Sequence, residues 1–239
     1  MIGERRSWGN GRSTGARQGW RSARFTSGIA ILIAGAWFFL WASGMTGEAA
    51  VWGGFMSERL SLLLVQSGLA LGDAWIVLLE PLTLTLIHPS FLQLAFNLLI
   101  LIVCGRIVEN IVGGGGLLLL FVVGAYAAVG AHFAADPHGT ALLVGSSGAI
   151  GAVLGAYAML AGRIRAKLRS QAASRAVNVL WLAATWIVIQ LLFALTMSPL
   201  VAGRLASTAA ALGVAANLGG FVAGLLLAKP LLLWKWRGA

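Results

Sequence analysis

Gly145-Ser146-Ser147-Gly148-Ala149-Ile150-Gly151-Ala152-Val153-Leu154-Gly155 is the stretch on which the reading of this chain turns. It is apolar, its glycines recur at helical spacing, and it opens on serine. As a membrane helix it would set Ser147 at the helix start, with glycines leaving room around the hydroxyl. A membrane enzyme would present a nucleophile in that way. Seventy residues further on, Asn217 stands where a partner histidine would be wanted. An amide cannot take a proton from a serine.

Composition points to a membrane independently. Of 239 residues, 59% are hydrophobic and only 10% charged, with mean hydropathy +0.88. A soluble domain carries roughly a quarter charged residues, so the apolar surface here must face lipid. The single cysteine, Cys104, allows no intrachain disulfide and reads as a small buried hydrophobe. A net charge of +10 could suggest nucleic acid. The basic residues instead flank hydrophobic segments, so the expected partner is the lipid bilayer and not nucleic acid.

The pattern predicts an all-α polytopic membrane protein with six spans. These run over Gly28–Ala42, His88–Cys104, Leu117–His132, Ser147–Leu160, Val177–Met197 and Ala209–Ala228. Several are shorter than the ~20 residues of an isolated span, which protein neighbours and local thinning of the bilayer make tolerable. Leu60–Leu71, between Glu58 and Asp73, reads as an interfacial helix inside a long first external loop. Residues 1–27 are expected to form a basic tail, 28–228 the membrane domain, and 229–239 a short second basic tail. With both tails cytoplasmic, 15 of the 17 basic residues fall inside, and only Arg59 and Arg204 fall outside.

The first tail holds six arginines and one acid, Glu4. A disordered topology-setting segment, an organelle transit peptide and a signal peptide ending near Ala42-Ser43-Gly44 all fit that composition. The location expected is a bacterial cytoplasmic membrane, with an organelle membrane as the alternative.

The glycines form pairs. Gly151 and Gly155 in the fourth span, and Gly220 and Gly224 in the sixth, are small-xxx-small pairs of the kind that let helix backbones touch in lipid. The two faces begin at Ser147 and Asn217, which makes a contact between those residues geometrically reasonable.

Together these pieces resemble the rhomboid family of intramembrane serine proteases, over nearly the whole chain past residue 28. His88-Pro-Ser-Phe-Leu-Gln93-Leu-Ala-Phe-Asn97 is similar to the family's H-x-S-x-x-H-x-x-x-N region. Gly105-Arg106-x-x-Glu109 matches the turn that follows it. Gly145-Ser146-Ser147-Gly148 resembles the GxSG nucleophile motif, and Ala216-Asn217-x-x-Gly220-x-x-x-Gly224 the AHxxGxxxG pattern. The resemblance implies a six-helix rhomboid-like bundle in which Ser147 is the nucleophile, Asn217 occupies the general-base position, and His88, Gly145, Gly148, Gly220 and Gly224 support the site. It also implies that Gln93 and Asn97, with the Ser147 backbone N–H, hold the oxyanion.

Gln93 and Asn217 depart from that pattern. A glutamine amide still donates a hydrogen bond, so the first change is a partial loss. The second removes general-base help worth ~10²–10⁴-fold. His138 lies in a loop before Ser147 and reads as a solvated loop residue, while His88 reads as a structural hydrogen-bond partner. Lys229 follows Asn217 by a dozen residues, about 18 Å along a helix, and is out of reach. Asn178 and Gln190 read as interhelical hydrogen-bonders. Trp41, Trp52, Trp234 and Trp236 read as interface anchors, and Glu80 and Asp136 as solitary external acids. No phosphate loop, metal-ligand cluster or carboxylate pair stands out, and no cofactor is expected. Two functions remain: a peptidase that cleaves transmembrane helices using Ser147, and a pseudo-protease that binds such helices as clients.

Overall fold

The computed structural model describes residues 23–65, 71–161, 170–196 and 204–237. The arginines up to Arg21, the basic loop residues Arg163, Arg165, Lys167 and Arg169, and Met197 lie outside the described residues. The elements in chain order are α1 (Arg24–Ala42), α2 (Thr46–Gly53), β1 (Phe55–Met56), α3 (Ser57–Val65), α4 (Leu71–Thr83) and a 3-10 turn (Leu84–Leu86). Then follow α5 (Phe91–Ile100), a π-helical turn (Leu101–Gly105), α6 (Arg106–Val112), α7 (Gly114–Ala135), β2 (Leu142–Leu143), α8 (Ser147–Leu160), α9 (Gln171–Thr196) and α10 (Arg204–Arg237).

The architecture is that of an all-α polytopic membrane protein. Five helical segments are long and apolar enough to cross a bilayer: Arg24–Ala42, Phe91–Val112, Gly114–Ala135, Gln171–Gln190 and Ala211–Lys235. The second of these joins α5 and α6 through the π turn. Helix α8 is apolar but short at 14 residues. It can be short because it touches little lipid: ten of its residues, from Gly148 to Ala158, are buried, so α7, α9 and α10 form its solvent.

Small residues set the distances between these helices. A methyl group added at Gly124 of α7 would fall 2.5 Å from the Ala152 methyl of α8, and one at Gly148 would fall 2.3 Å from that of Ala128. On α10, a methyl at Gly220 would lie 1.9 Å from the Gly148 carbonyl oxygen, and one at Gly224 the same distance from that of Ala152. At Gly219 it would meet Ala131 and Ala127 of α7. Three backbones therefore run in direct contact, which replaces the hydrophobic force that is missing inside lipid with close packing and short polar contacts.

Glu109 of α6 ties the start of α1. Its Oε1 accepts from the Phe25 N–H at 3.0 Å, and its Oε2 accepts from the Thr26 N–H at 2.8 Å and the Thr26 hydroxyl at 2.6 Å. A carboxylate at a helix N-terminus satisfies orphan N–H groups and meets the positive end of the dipole. Gly105, one turn earlier on the same helix, passes Thr26 so closely that a methyl there would sit 3.1 Å from its Cγ2. At the other end of the chain, Lys235 donates to the carbonyls of Asn110 and Ile111 in the last turn of α6.

The segment between α1 and α5 differs from the expectation of a long loop carrying one interfacial helix over Leu60–Leu71. It holds α2, α3 and α4; α3 ends at Val65, residues 66–70 are outside the described residues, and a new helix starts at Leu71. Pro81 falls two residues from the end of α4; it removes one i→i−4 hydrogen bond, and the helix stops at Thr83 and passes into the 3-10 turn. Glu80 is no solitary external acid. It is buried and paired with Arg59 at 3.1 Å, while the same guanidinium donates to the carbonyls of Val51 and Gly54. Burial pushes the Glu80 carboxyl up, against the pull of Arg59. This segment is stapled to the α7–α8 connection by an antiparallel pairing of Phe55 with Leu143 and Met56 with Leu142. The Ser61 hydroxyl adds a bond to the Pro137 carbonyl, and the Glu58 N–H one to Gly139.

Candidate active site

The site is assembled where three chain segments converge on the start of α8. Gly145 adopts φ +105°, a left-handed conformation that a side chain would strain. Its N–H donates to the Leu84 carbonyl at 2.9 Å, fixing the tetrapeptide against the 3-10 turn. The chain then turns into helix at Ser147, with the Ile150 N–H bonded to the Ser146 carbonyl.

The second segment is His88-Pro89-Ser90 and the first turns of α5. Ser90 is extended, and its hydroxyl accepts from the Gln93 N–H at 3.2 Å, an N-cap that starts α5 directly after Pro89. Gln93 and Asn97 are four residues apart and so share a helix face. That face looks at the tetrapeptide: Gln93 Nε2 would be 3.3 Å from a methyl on Gly145, and Asn97 Nδ2 donates to Ser146 Oγ at 3.4 Å.

The serine that these side chains hold is Ser146. His88 Nε2 lies 3.0 Å from Ser146 Oγ, 3.4 Å from the Ser146 backbone nitrogen and 3.3 Å from Asn97 Nδ2. A backbone N–H can only donate, so Nε2 is the unprotonated ring nitrogen, and Ser146 Oγ donates to it as well. His88, Asn97 and Ser146 are each fully buried. The reading of His88 as a structural partner therefore acquires a specific object. The sequence reading passed over Ser146, since both serines of Gly-Ser-Ser-Gly are chemically alike and only helix phase separates them. One turn of α8 begins at Ser147, which is partly exposed, while Ser146 points inward.

The third segment is α10. Asn217 is buried, and its backbone carbonyl would be 3.0 Å from a methyl on Gly151. Its Oδ1 has no hydrogen-bond partner among the described residues. Gly220 and Gly224 face the backbone of α8 as given above. The structure thus brings Gly145 to Gln93, Ser146 to His88 and Asn97, and Asn217 to the α8 turn that starts with Ser147. It forms no Ser147–Asn217 hydrogen bond.

Two histidines stand apart. His138 is exposed in the α7–α8 connection. His132, in the last turn of α7, is buried against the edge of Phe55, ring centroids 5.9 Å apart. On α9, Trp186 is buried and stacks on Phe96 of α5 at 5.9 Å, and Gln190 is buried one turn beyond it. The expected interhelical bond of Gln190 is not made by its amide nitrogen, which has no partner among the described residues.

Comparison with known proteins gives one family match and no match among curated proteins. The model of the Rhomboid domain matches residues 72–234, well over half of the chain and all the segments that build the site. This chain therefore belongs to the rhomboid family of intramembrane serine protease-like proteins, and it is an integral, multi-pass membrane protein.

Proposed function

We propose that this rhomboid acts as a pseudo-protease, binding transmembrane helices as clients without hydrolysing them. The observation that carries this reading is Asn217, buried beside the first turns of α8 at the position where the family pattern has its base. An amide offers no lone pair basic enough to deprotonate Ser147 near neutral pH. In this reading Ser147 remains as the nucleophile position, with Gln93 and Asn97 in the oxyanion positions. Asn97 has other work, since its amide is shared between His88 and Ser146.

A fluorophosphonate probe tests this in native membranes. Labelling at Ser147 should be no greater than in Ser147→Ala, read by peptide mass spectrometry. Stoichiometric labelling of Ser147 would defeat the proposal.

A second reading, an active endopeptidase with another proton acceptor, draws on the Ser146–His88 contact, a serine hydroxyl already donating to an imidazole. Complete burial of both groups weighs against it, because a substrate carbonyl has to touch the oxygen. Probe labelling at Ser146 would favour that second reading.

The proposal includes orientation, with both ends of the chain on the cytoplasmic side, supported by the distribution of Lys and Arg. Reporter fusions after Asp136 and after Arg169 should report opposite compartments. The same compartment for both would overturn it.

A further inference from the structure

A groove of about 240 Å³ lies between α1 and α7, at the end of α4. Its walls are Leu32 and Ile33 of α1 and Leu118 and Val122 of α7, and Thr83 and Thr85 line it from above. Leu32 is 60% exposed and Leu118 43%, while Ile33 is buried at the back, so the mouth lies between the two leucines. Neither threonine offers the groove a free hydroxyl proton. Thr83 donates to the Gly53 carbonyl at 2.7 Å, and Thr85 to that of Leu82 at 2.6 Å. At the base, Phe25 of α1 packs on Gly114 of α7, where an added methyl would be 2.1 Å from the ring.

Such a groove gives water nothing to bond. An apolar cavity of only ~150 Å³ already stays dry and takes up benzene, and an empty one forfeits the dispersion contacts of its walls. One turn of a helix, ~10 Å across and 5.4 Å long, fills roughly 400 Å³. That is more than the groove holds, so neither a client span nor a second copy of this chain can sit in it. A single hydrocarbon chain is narrow enough, and the bilayer supplies such chains on every side.

Depth and charge identify the lipid. Leu32 and Ile33 follow Arg24 by eight and nine residues, about 12–14 Å along α1. Leu118 and Val122 follow Gly114 by four and eight, about 6–12 Å along α7. Each leaflet's hydrocarbon is about 15 Å deep, so the groove lies in the leaflet at the α1 start. A lipid whose chain reaches it holds its phosphate near the level of Arg24. That residue is exposed, and the sequence before it adds Arg5, Arg6, Arg12, Arg17 and Arg21 against one acid, Glu4. We propose that the groove seats one acyl chain of an anionic glycerophospholipid whose phosphate is drawn by these arginines. The seated chain braces the 3-10 turn, whose Leu84 carbonyl holds the Gly145 N–H of the site tetrapeptide at 2.9 Å.

The test uses the full chain in lipid nanodiscs with a trace of phosphatidylglycerol or phosphatidylcholine. Each lipid carries a diazirine midway along one acyl chain, and labelled peptides are read by mass spectrometry after photolysis. Phosphatidylglycerol should label the peptides holding Leu32 and Leu118 about fivefold more than phosphatidylcholine, the preference that one nearby arginine supplies. Arg24→Gln should lower that preference. Val122→Trp, which fills the groove, and Leu118→Trp, which closes its mouth, should each cut the labelling severalfold. Labelling around Leu180, exposed on α9, should stay the same in every variant, which also shows that the variants are folded.

Groove labelling that survives both tryptophans would overturn the seat. Equal labelling by the two lipids, or a preference untouched by Arg24→Gln, would overturn the choice of an anionic lipid. Neither result bears on whether the protein cleaves its clients or only binds them.

Discussion

Asn217→His should turn this protein into a peptidase whose cleavage of a model transmembrane substrate requires Ser147. The chain as it stands should show little or no cleavage in the same assay. The expected gain is about 10²–10⁴-fold, the usual contribution of a general base, and loss of one member of a coupled pair can cost ~10⁶. The geometry favours rescue because Asn217 is already seated against α8, and its Cβ leans toward the end where Ser147 stands. The gain is limited by the oxyanion side. Gln93 sits against Gly145, and Asn97 is engaged with His88 and Ser146. An oxyanion donor is typically worth ~2.7–4 kcal/mol, so adding Gln93→His to Asn217→His should raise the rate further. Ser147→Ala should abolish cleavage in every background. Robust Ser147-dependent cleavage by the unmodified chain would sink this account, as would a rescued activity that depends on Ser146 instead.

The largest structural effect is expected at Gly220. Even Gly220→Ala would put a methyl 1.9 Å from the Gly148 carbonyl oxygen, a backbone atom of the helix that carries Ser147. A side chain could rotate away, but a helix backbone can only move as a whole. Overpacking commonly costs ~1–3 kcal/mol and occasionally more, and with two rigid helices the upper end applies. The unfolding midpoint in detergent should fall clearly for Gly220→Ala and further for Gly220→Leu. Gly213→Ala on the same helix is the control. A methyl there meets nothing within 4 Å, so it should be neutral or mildly stabilising through helix propensity. Equal midpoints for Gly220→Ala and Gly213→Ala would show that α8 and α10 are not in backbone contact.

Much of the frame was legible in the sequence, because lipid imposes simple rules. Helical segments stand at all six expected spans, and the pairs Gly151/Gly155 and Gly220/Gly224 did mark the face where α8 meets α10. The membrane domain proved less legible where polar groups pair at long range. Nothing local to Glu80 announces Arg59, and nothing near Glu109 announces Thr26. Charge read along a chain cannot see partners brought together by folding. Ser146 escaped for a different reason, since one residue of helix phase decides which serine turns inward. Gln190 was read as a hydrogen-bonder from its residue type alone, and the amide nitrogen that should have made the bond is unpartnered.

The carboxylate of Glu109 has a consequence for how the protein is made. A ribosome releases Thr26 well before Glu109, because 83 positions separate them. Throughout that interval the first N–H groups of α1 have no carboxylate to accept from them. Only when α6 arrives can that end be fastened. The first helix to be made is thus among the later ones to be secured, and a nascent chain stalled before residue 109 carries a first helix whose start is not yet moored.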